Sequence, residues 1–163
     1  MADWYVRNVR DMKWRDAGPR GFVTELVDEE AAQVGVNLFV LEPGQPQAMY
    51  HWEADQEGFL VLSGEALLII DGEERTIRQW DYVHCPPGVA HTRVGAGDGT
   101  CVILAVGGRA HADSDDWGGY PVSEVARRHN ASTEEETSDP QVAYARFPRS
   151  VPGEFREEWL AGE

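Results

Sequence analysis

The chain has 163 residues and a mass of 18.2 kDa, which suits one compact domain and argues against a multidomain assembly. Apolar residues make up 42% of the sequence, enough to bury a core, and no apolar run approaches the length of a membrane span. The formal net charge of −15 repels nucleic-acid phosphates and anionic lipid, so we expect no nucleic-acid and no membrane partner.

The cysteine content and the N-terminal segment both bear on the cellular location of the protein. Cys85 and Cys101 are too few for a disulfide framework and too far apart for a zinc ribbon or a redox pair, so we expect reduced thiols. Residues 1–7 carry charge and no long apolar core, unlike a signal or transit peptide. The sequence therefore predicts a soluble, cytoplasmic protein whose partner is a small-molecule ligand or another protein.

Six short apolar runs, each stopped by glycine or proline, predict β-strands. They cover residues 34–41, 59–62, 66–70, 82–85, 91–94 and 101–106. Asp71-Gly72 predicts a tight hairpin after the third run, because glycine supplies the positive φ that such a turn requires. The loop at residues 95–99 is also interpreted as a hairpin. So many short strands predict an antiparallel, meandering centre in a sandwich or a closed barrel.

Helical signals are confined to the C-terminal part of the chain. Ser123 is a capping residue for a short helix that ends near residue 129, and Asp139-Pro140 begins a second helix that extends to about residue 146. Residues 154–160 are a third candidate. The three glutamates at 134–136 are interpreted as a solvated face rather than as a ligand cluster.

These patterns divide one domain into three segments. Residues 1–33 are predicted to form an N-terminal arm with strands that pack on a barrel. Residues 34–108 are predicted to form the barrel core, and residues 109–163 a C-terminal extension with short helices.

Histidine and glutamate side chains cluster in the centre of the sequence. Because alternate residues of a strand share a face, we expect His51 and Glu53 to point into the barrel while Trp52 points outward. Glu57 opens the next strand, and His91 follows a rigid turn of two prolines and a glycine. Two imidazoles and two carboxylates suit a divalent ion such as zinc, iron, manganese or nickel, and open coordination positions would make such a site catalytic.

The spacing of these residues resembles the two motifs of the cupin superfamily. The first motif is matched by Gly44, His51, Glu57 and Gly64, and the second by Pro86, Gly88 and His91. The resemblance covers about residues 34–106. It implies an all-β fold, the antiparallel cupin barrel (double-stranded β-helix or jelly roll), with short C-terminal helices added. It also implies one divalent metal ion per chain, bound by His51, Glu57 and His91, and a homodimer.

Three positions and one interval depart from the usual cupin motifs. Glu53 stands where the family usually has a second histidine, which adds one negative charge to the ligand set and favours a non-redox ion or a higher oxidation state. Trp80 replaces the glycine that usually opens the second motif, and Gly95 replaces its closing asparagine. The interval from Gly44 to His51 is one residue longer than usual. Without a metal, one of the two glutamates would have a raised pKa or pair with an arginine, either Arg93 or Arg78.

The resemblance implies a metalloenzyme that acts on a small polar metabolite. It would be an isomerase if the metal polarises a carbonyl, or an oxygenase if an open position takes dioxygen. The alternative is a non-catalytic module that binds or senses a sugar or an acid. The sequence leaves open whether His84 or Cys85 faces the interior. The nearby aromatic residues are interpreted as core or dimer contacts rather than as pocket lining; they are Tyr50, Trp52, Phe59, Trp80 and Tyr82.

Overall fold

The computed structural model describes residues 4–28 and 33–160, so the predictions that fall on residues 1–3, 29–32 and 161–163 lie outside the described residues. The strands are β1 Trp14–Asp16, β2 Phe22–Glu25, β3 Val34–Leu41, β4 Trp52–Glu53, β5 Glu57–Ser63, β6 Glu65–Ile70, β7 Glu73–Arg78, β8 Tyr82–Cys85, β9 His91–Ala96, β10 Cys101–Gly108, β11 Gly118–Gly119 and β12 Val151–Gly153. The two α-helices are α1 Glu124–Arg127 and α2 Pro140–Ala143. Over the described ranges, no helix is both long enough and apolar enough to cross a membrane.

The strands form antiparallel sheets, as predicted, but their order is not a meander. One sheet has the order β12-β1-β2-β3-β10-β5-β8, a second has the order β7-β6-β9, and β4 pairs with β11. The chain passes between the two large sheets four times, from β5 to β6, from β7 to β8, from β8 to β9 and from β9 to β10. The prediction of a hairpin at residues 95–99 is therefore wrong. These strands are apolar on one face, and placing consecutive strands on opposite sheets lets those faces cover each other.

The inner core lies between the two large sheets and explains why the apolar runs form strands. On β5, Phe59 and Val61 are fully buried while Leu60 points outward, which is the alternation of a strand that has one face on a core. The inner core contains residues from both sheets, namely Leu41, Phe59, Val61, Ala66, Leu68, Ile77, Cys85, Cys101, Ile103 and Ala105. The all-β cupin-type architecture predicted from the sequence is confirmed.

The structure settles which residue of β8 faces inward. Cys85 is 1% exposed and belongs to the inner core, whereas its neighbour His84 is exposed. Both cysteines are free thiols, as predicted.

The Cys101 thiol is expected not to react with alkylating reagents in the folded protein. Burial raises the pKa of its thiol to about 12. Unfolding exposes the thiol, which then loses its proton near pH 8.5. Above that pH the unfolded chain holds fewer protons, so stability should fall as the pH rises towards 12. We expect iodoacetamide at pH 8.5 to alkylate Cys101 only in urea, and the stability advantage of the native chain over Cys101→Ala to shrink between pH 8 and pH 10. Equal alkylation rates in folded and unfolded protein would contradict this prediction.

Two turns show how local backbone conformation follows from the sequence. Asp71 (φ 49°) and Gly72 (φ 78°) form the predicted tight turn that joins β6 to β7. Trp80, which stands at the glycine position of the second motif, also has a positive φ of 72°. The turn therefore has a left-handed conformation at a position where the motif usually has glycine, and the tryptophan side chain is 68% exposed.

Replacing Trp80 by glycine is expected to stabilise the protein by about 0.5–1 kcal/mol. A left-handed conformation costs about 1–2 kcal/mol for a residue with a Cβ, and part of this gain is lost to the greater flexibility of glycine in the unfolded chain. Trp80→Ala is the matched control, because it removes the exposed ring but keeps the strained φ. Urea unfolding of the three proteins measures the difference, and a gain in the alanine variant as large as that in the glycine variant would contradict this explanation.

The segments outside the barrel core cover its outer surfaces. The outer face of β3 and β10 packs against Trp14 and Trp159, which come from the two ends of the chain. The helices begin at the predicted caps: the Ser123 side chain accepts a hydrogen bond from Ala126 N, and that of Asp139 from Gln141 N. Both helices are shorter than predicted, and the third candidate is a 3₁₀ turn, Glu157–Leu160. Residues 134–136 are exposed, as expected.

Candidate metal centre

The two histidines of the motifs meet through a backbone pair. His51 N donates to His91 O (3.1 Å) and His91 N donates to His51 O (2.8 Å), so the residues lie directly opposite each other on antiparallel segments. Side chains of such a pair project to the same face. The two imidazole centroids are accordingly 4.9 Å apart. The local strand pairing therefore brings the two motifs together.

Each imidazole is oriented by a hydrogen bond from its Nδ1. His51 Nδ1 donates to Met49 O (2.7 Å), and His91 Nδ1 donates to Val89 O (2.9 Å) and lies 3.0 Å from Cys85 Sγ. A proton held at Nδ1 leaves the Nε2 lone pair of the neutral ring available. Hydrogen bonds of this kind from the second ring nitrogen are typical of metal-binding histidines, because they fix the tautomer and the ring orientation.

Glu57 lies between the two imidazoles. Its Oε2 is 2.9 Å from His91 Nε2 and 3.9 Å from His51 Nε2, and its side chain is 12% exposed. The three residues place one possible ligand atom each within 4.8 Å of one another. The structure thus brings together three of the four residues that the sequence predicted as ligands.

The fourth predicted ligand, Glu53, lies at the edge of this group. Its Oε1 is 3.4 Å from His51 Nε2, but the residue is not part of the three-residue cluster. Its side chain is 29% exposed, more than twice the exposure of Glu57. Trp52, which was expected to point outward, is half-buried beside β11.

The electrostatics of the group favour a neutral His91 beside an ionised carboxylate. Burial lowers the pKa of His91, and the positive charges of His51 and Arg93 lower it further. Burial alone would raise the pKa of Glu57, but its contact with His91 and the charges around it bring that pKa down to about 2. For His51, burial lowers the pKa, but Glu53 and Glu57 outweigh this effect and the pKa is raised. Glu57 is therefore negatively charged at neutral pH, as a carboxylate that binds a cation must be.

Two buried atoms in this group lack hydrogen-bond partners other than each other among the described residues, and this observation bears on whether a metal ion would fit. Glu57 Oε2 and His91 Nε2 are inaccessible to solvent, and apart from their mutual contact neither has a hydrogen-bond partner among residues 4–28 and 33–160. Buried polar atoms normally have partners. Two imidazole nitrogens and a carboxylate are a common ligand set for a divalent ion with open coordination positions. The residues present therefore fit such an ion.

A cavity of about 330 Å³ adjoins the three-residue cluster. Its volume is at the lower end of the range for small-molecule sites, which is about 300–1,000 Å³. Its aromatic lining is Phe39, Trp117, Tyr120 and Tyr144, and none of the five aromatic residues considered from the sequence lines it. Of those five, Trp80 and Tyr82 are exposed, while Tyr50 and Phe59 belong to packed clusters.

The C-terminal extension also helps to position His51, a role that the sequence did not reveal. Met49 N donates to the Tyr144 hydroxyl (3.1 Å), and Met49 O accepts the hydrogen bond from His51 Nδ1. The Tyr120 ring lies 5.9 Å from the His51 ring. Only the tertiary fold brings residues 120 and 144 to position 51, so no local motif could have indicated these contacts.

Gly95 has a packing reason to replace the usual asparagine of the second motif. A Cβ on this residue would lie 2.1 Å from Glu42 O. The backbone of Gly95 accepts a hydrogen bond from Gly44 N and donates one to Gln45 O. The segment before His51 is therefore held against β9 by a contact that only glycine allows.

Comparison with known proteins agrees with this geometry. Residues 37–107 match the family model described as a cupin domain. No curated protein matches the chain. A sugar phosphate isomerase from a cupin superfamily of Silicibacter pomeroyi is 26% identical, with a TM-score of 0.58 over 63% of this chain and 74% of that one.

Two more distant structures share the fold alone. A cupin 2 conserved barrel domain protein from Salinispora arenicola is 22% identical, with a TM-score of 0.55 over 67% of this chain and 92% of that one. A polyketide cyclase from Streptomyces resistomycificus is 20% identical, with a TM-score of 0.55 over 64% of this chain and 80% of that one. The motifs, the barrel and the family-model match together show that residues 37–107 form a cupin domain.

Proposed function

We propose that this protein is a divalent-metal-dependent enzyme that acts on a small polar metabolite by isomerase-like chemistry. The observation that carries the proposal is the group of His51, Glu57 and His91 beside a cavity, with two buried ligand atoms that have no other hydrogen-bond partner among the described residues. Glu53 is proposed as a fourth, more weakly bound donor. A divalent ion held by these residues would supply a Lewis acid for polarising a carbonyl group of the substrate.

The residues of the chain itself have two further tasks in this proposal. The hydrogen bonds from both Nδ1 atoms orient the two rings, whose Nε2 atoms lie 3.9 Å and 2.9 Å from Glu57 Oε2. The aromatic side chains that line the cavity offer a substrate apolar contacts beside that group. An isomerase is favoured over an oxygenase because a second carboxylate beside the ligands favours a non-redox ion. The Silicibacter pomeroyi protein, described as a sugar phosphate isomerase, supports the same choice.

Elemental analysis by plasma mass spectrometry is the first test. The purified, untagged protein is compared with the double variant His51→Ala/His91→Ala, each after reconstitution with zinc, manganese, iron or nickel. We expect about one metal ion per native chain and a loss of most of it in the variant. No retained metal in the native chain would overturn the proposal and favour the alternative, a non-catalytic binding or sensing module.

The metal-loaded protein then tests the reaction class. In ²H₂O, an isomerase that moves a proton next to a carbonyl should catalyse deuterium incorporation into small hydroxy-aldehydes or hydroxy-ketones, visible by ¹H NMR. The double variant is the control for background exchange. A native chain that retains iron and consumes dioxygen without any proton exchange would contradict the isomerase proposal in favour of an oxygenase.

A further inference from the structure

Arg93 is a buried cation that lines the same cavity. It lies on β9 two residues after His91, is 1% exposed, and is the largest fully buried side chain in the described ranges. Its Nη2 donates to Gln47 Oε1, and its guanidinium carbon lies 3.4 Å from the centre of the Phe59 ring. Its Nε and Nη1 atoms are buried and have no hydrogen-bond partner in the part of the chain that the structure describes.

The charge of Arg93 is not neutralised by a direct ion pair. An arginine guanidinium stays charged at neutral pH even when it is buried. Glu53 and Glu57 are the nearest acidic groups on the cavity wall, but among the described residues neither lies within 4.0 Å of an Arg93 nitrogen. The pairing with Arg93 that the sequence suggested for an empty site is therefore not formed. A buried charge without a partner is costly unless something else compensates it.

The charges of the side chains around the cavity indicate what kind of group would compensate the charge of Arg93. A divalent cation bound beside Glu53 and Glu57 balances the two carboxylates. The charges of Arg93 and of Arg109, which also lines the cavity, then remain. Unused N–H donors on a buried guanidinium form strong hydrogen bonds with oxyanions such as carboxylate or phosphate.

We propose that Arg93 is the oxyanion subsite of the cavity, so that the ligand is a small organic anion whose carboxylate or phosphate group binds Arg93 while its other end faces His51, Glu57 and His91. This inference rests on the proposed function and narrows its substrate class from a polar metabolite to an acid. Gln47 is the positioning residue, because its side-chain oxygen holds one end of the guanidinium.

Isothermal titration calorimetry on zinc-loaded protein tests the proposal with anions and their neutral counterparts. Succinate is compared with succinamide, and glycerol 3-phosphate with glycerol. We expect one of the two anions to bind once per chain and at least about tenfold more tightly than its neutral counterpart. The anion that binds distinguishes a carboxylate ligand from a phosphate ligand. Two anions that bind no better than the neutral compounds to fully loaded protein would overturn the inference.

Variants assign this preference to Arg93. Arg93→Met, which removes the charge and keeps much of the length, should abolish the anion preference and leave the zinc content unchanged. Arg128→Met, at an exposed arginine, is the matched control and should leave both unchanged. Undiminished anion binding by Arg93→Met would also overturn the inference. The anion comparison in the native chain decides the question even if the methionine variant does not fold.

The metal content, measured separately, keeps the two proposals distinguishable. Full zinc loading without an anion preference contradicts the role of Arg93 alone. If the native chain retains no metal, the proposed enzyme function fails. Anion binding that is present in that metal-free chain and absent in Arg93→Met would then still support the subsite, and no anion binding would overturn both.

Discussion

Replacing Glu57 by glutamine is expected to lower the affinity for a divalent metal by at least about a hundredfold, because residues that only support a ligand already contribute 10–100-fold. The carboxylate lies 2.9 Å and 3.9 Å from the two Nε2 atoms and is nearly buried, so it is placed to share a metal ion with both imidazoles. Glutamine has the same shape but lacks the charge. Competition with a fluorescent chelator measures the affinity of the native and variant chains.

Glu53→Gln is the matched comparison, and we expect its affinity to fall by less than about tenfold. Glu53 is more exposed and lies outside the three-residue cluster, so solvent screens its charge and its loss disturbs the other ligands less. Equal losses in the two variants would show that the two carboxylates contribute equally to metal binding. Unchanged affinity in Glu57→Gln would contradict the assignment of the site.

The strands that the sequence predicted are those with a buried face. β3 and β8 have the predicted bounds, and β5, β6, β9 and β10 extend the predicted runs by one to three residues. The hairpin turn into β7 was predicted, but the bounds of β7 were not, because Ile77 is its only buried residue and its other side chains are exposed. A strand that buries only one side chain shows no alternation of apolar and polar residues, so its sequence does not indicate a strand. The short strands β1, β2, β4, β11 and β12 carry too few residues for any period at all.

The candidate site was predictable where chemistry depends on spacing along the chain. His51, Glu57 and His91 lie at motif positions. In the structure, the backbone pairing of His51 with His91 brings these residues together. Arg93 and Tyr144 act through burial and through contacts with distant segments. Nothing in the sequence distinguishes Arg93 from other strand residues. It stands out only in the structure, where those of its N–H groups that have no hydrogen-bond partner among the described residues lie beside a cavity.

The backbone of this chain accounts for two departures from the cupin motifs. Trp80 has a positive φ, the conformation that glycine adopts most easily, and Gly95 allows a close approach to Glu42 that an asparagine side chain would prevent. A change of residue type in a motif therefore does not by itself indicate that the site is lost. Which conformation a turn adopts can be read only from the backbone, since tryptophan rarely occupies the left-handed region.

Replacing Trp159 by alanine is expected to destabilise the protein by about 3–5 kcal/mol, the usual cost of truncating a buried aromatic residue. Although it lies close to the C-terminus, Trp159 is 5% exposed. Its ring is 4.8 Å from that of Trp14 and 4.9 Å from that of Phe22, centre to centre. These contacts join the two ends of the chain on the outer face of the large sheet, and alanine would leave a cavity among them.

Leu160→Ala is the control, because this neighbouring side chain is 46% exposed and its truncation should change the stability by less than about 1 kcal/mol. Urea unfolding followed by circular dichroism measures both variants. Below its melting temperature, Trp159→Ala should bind as much metal as the native chain, since the cluster around Trp159 lies on the opposite face of the sheet from the inner core. A loss of less than 1 kcal/mol in Trp159→Ala would show that the terminal segments are accessory to the barrel rather than part of its folding unit.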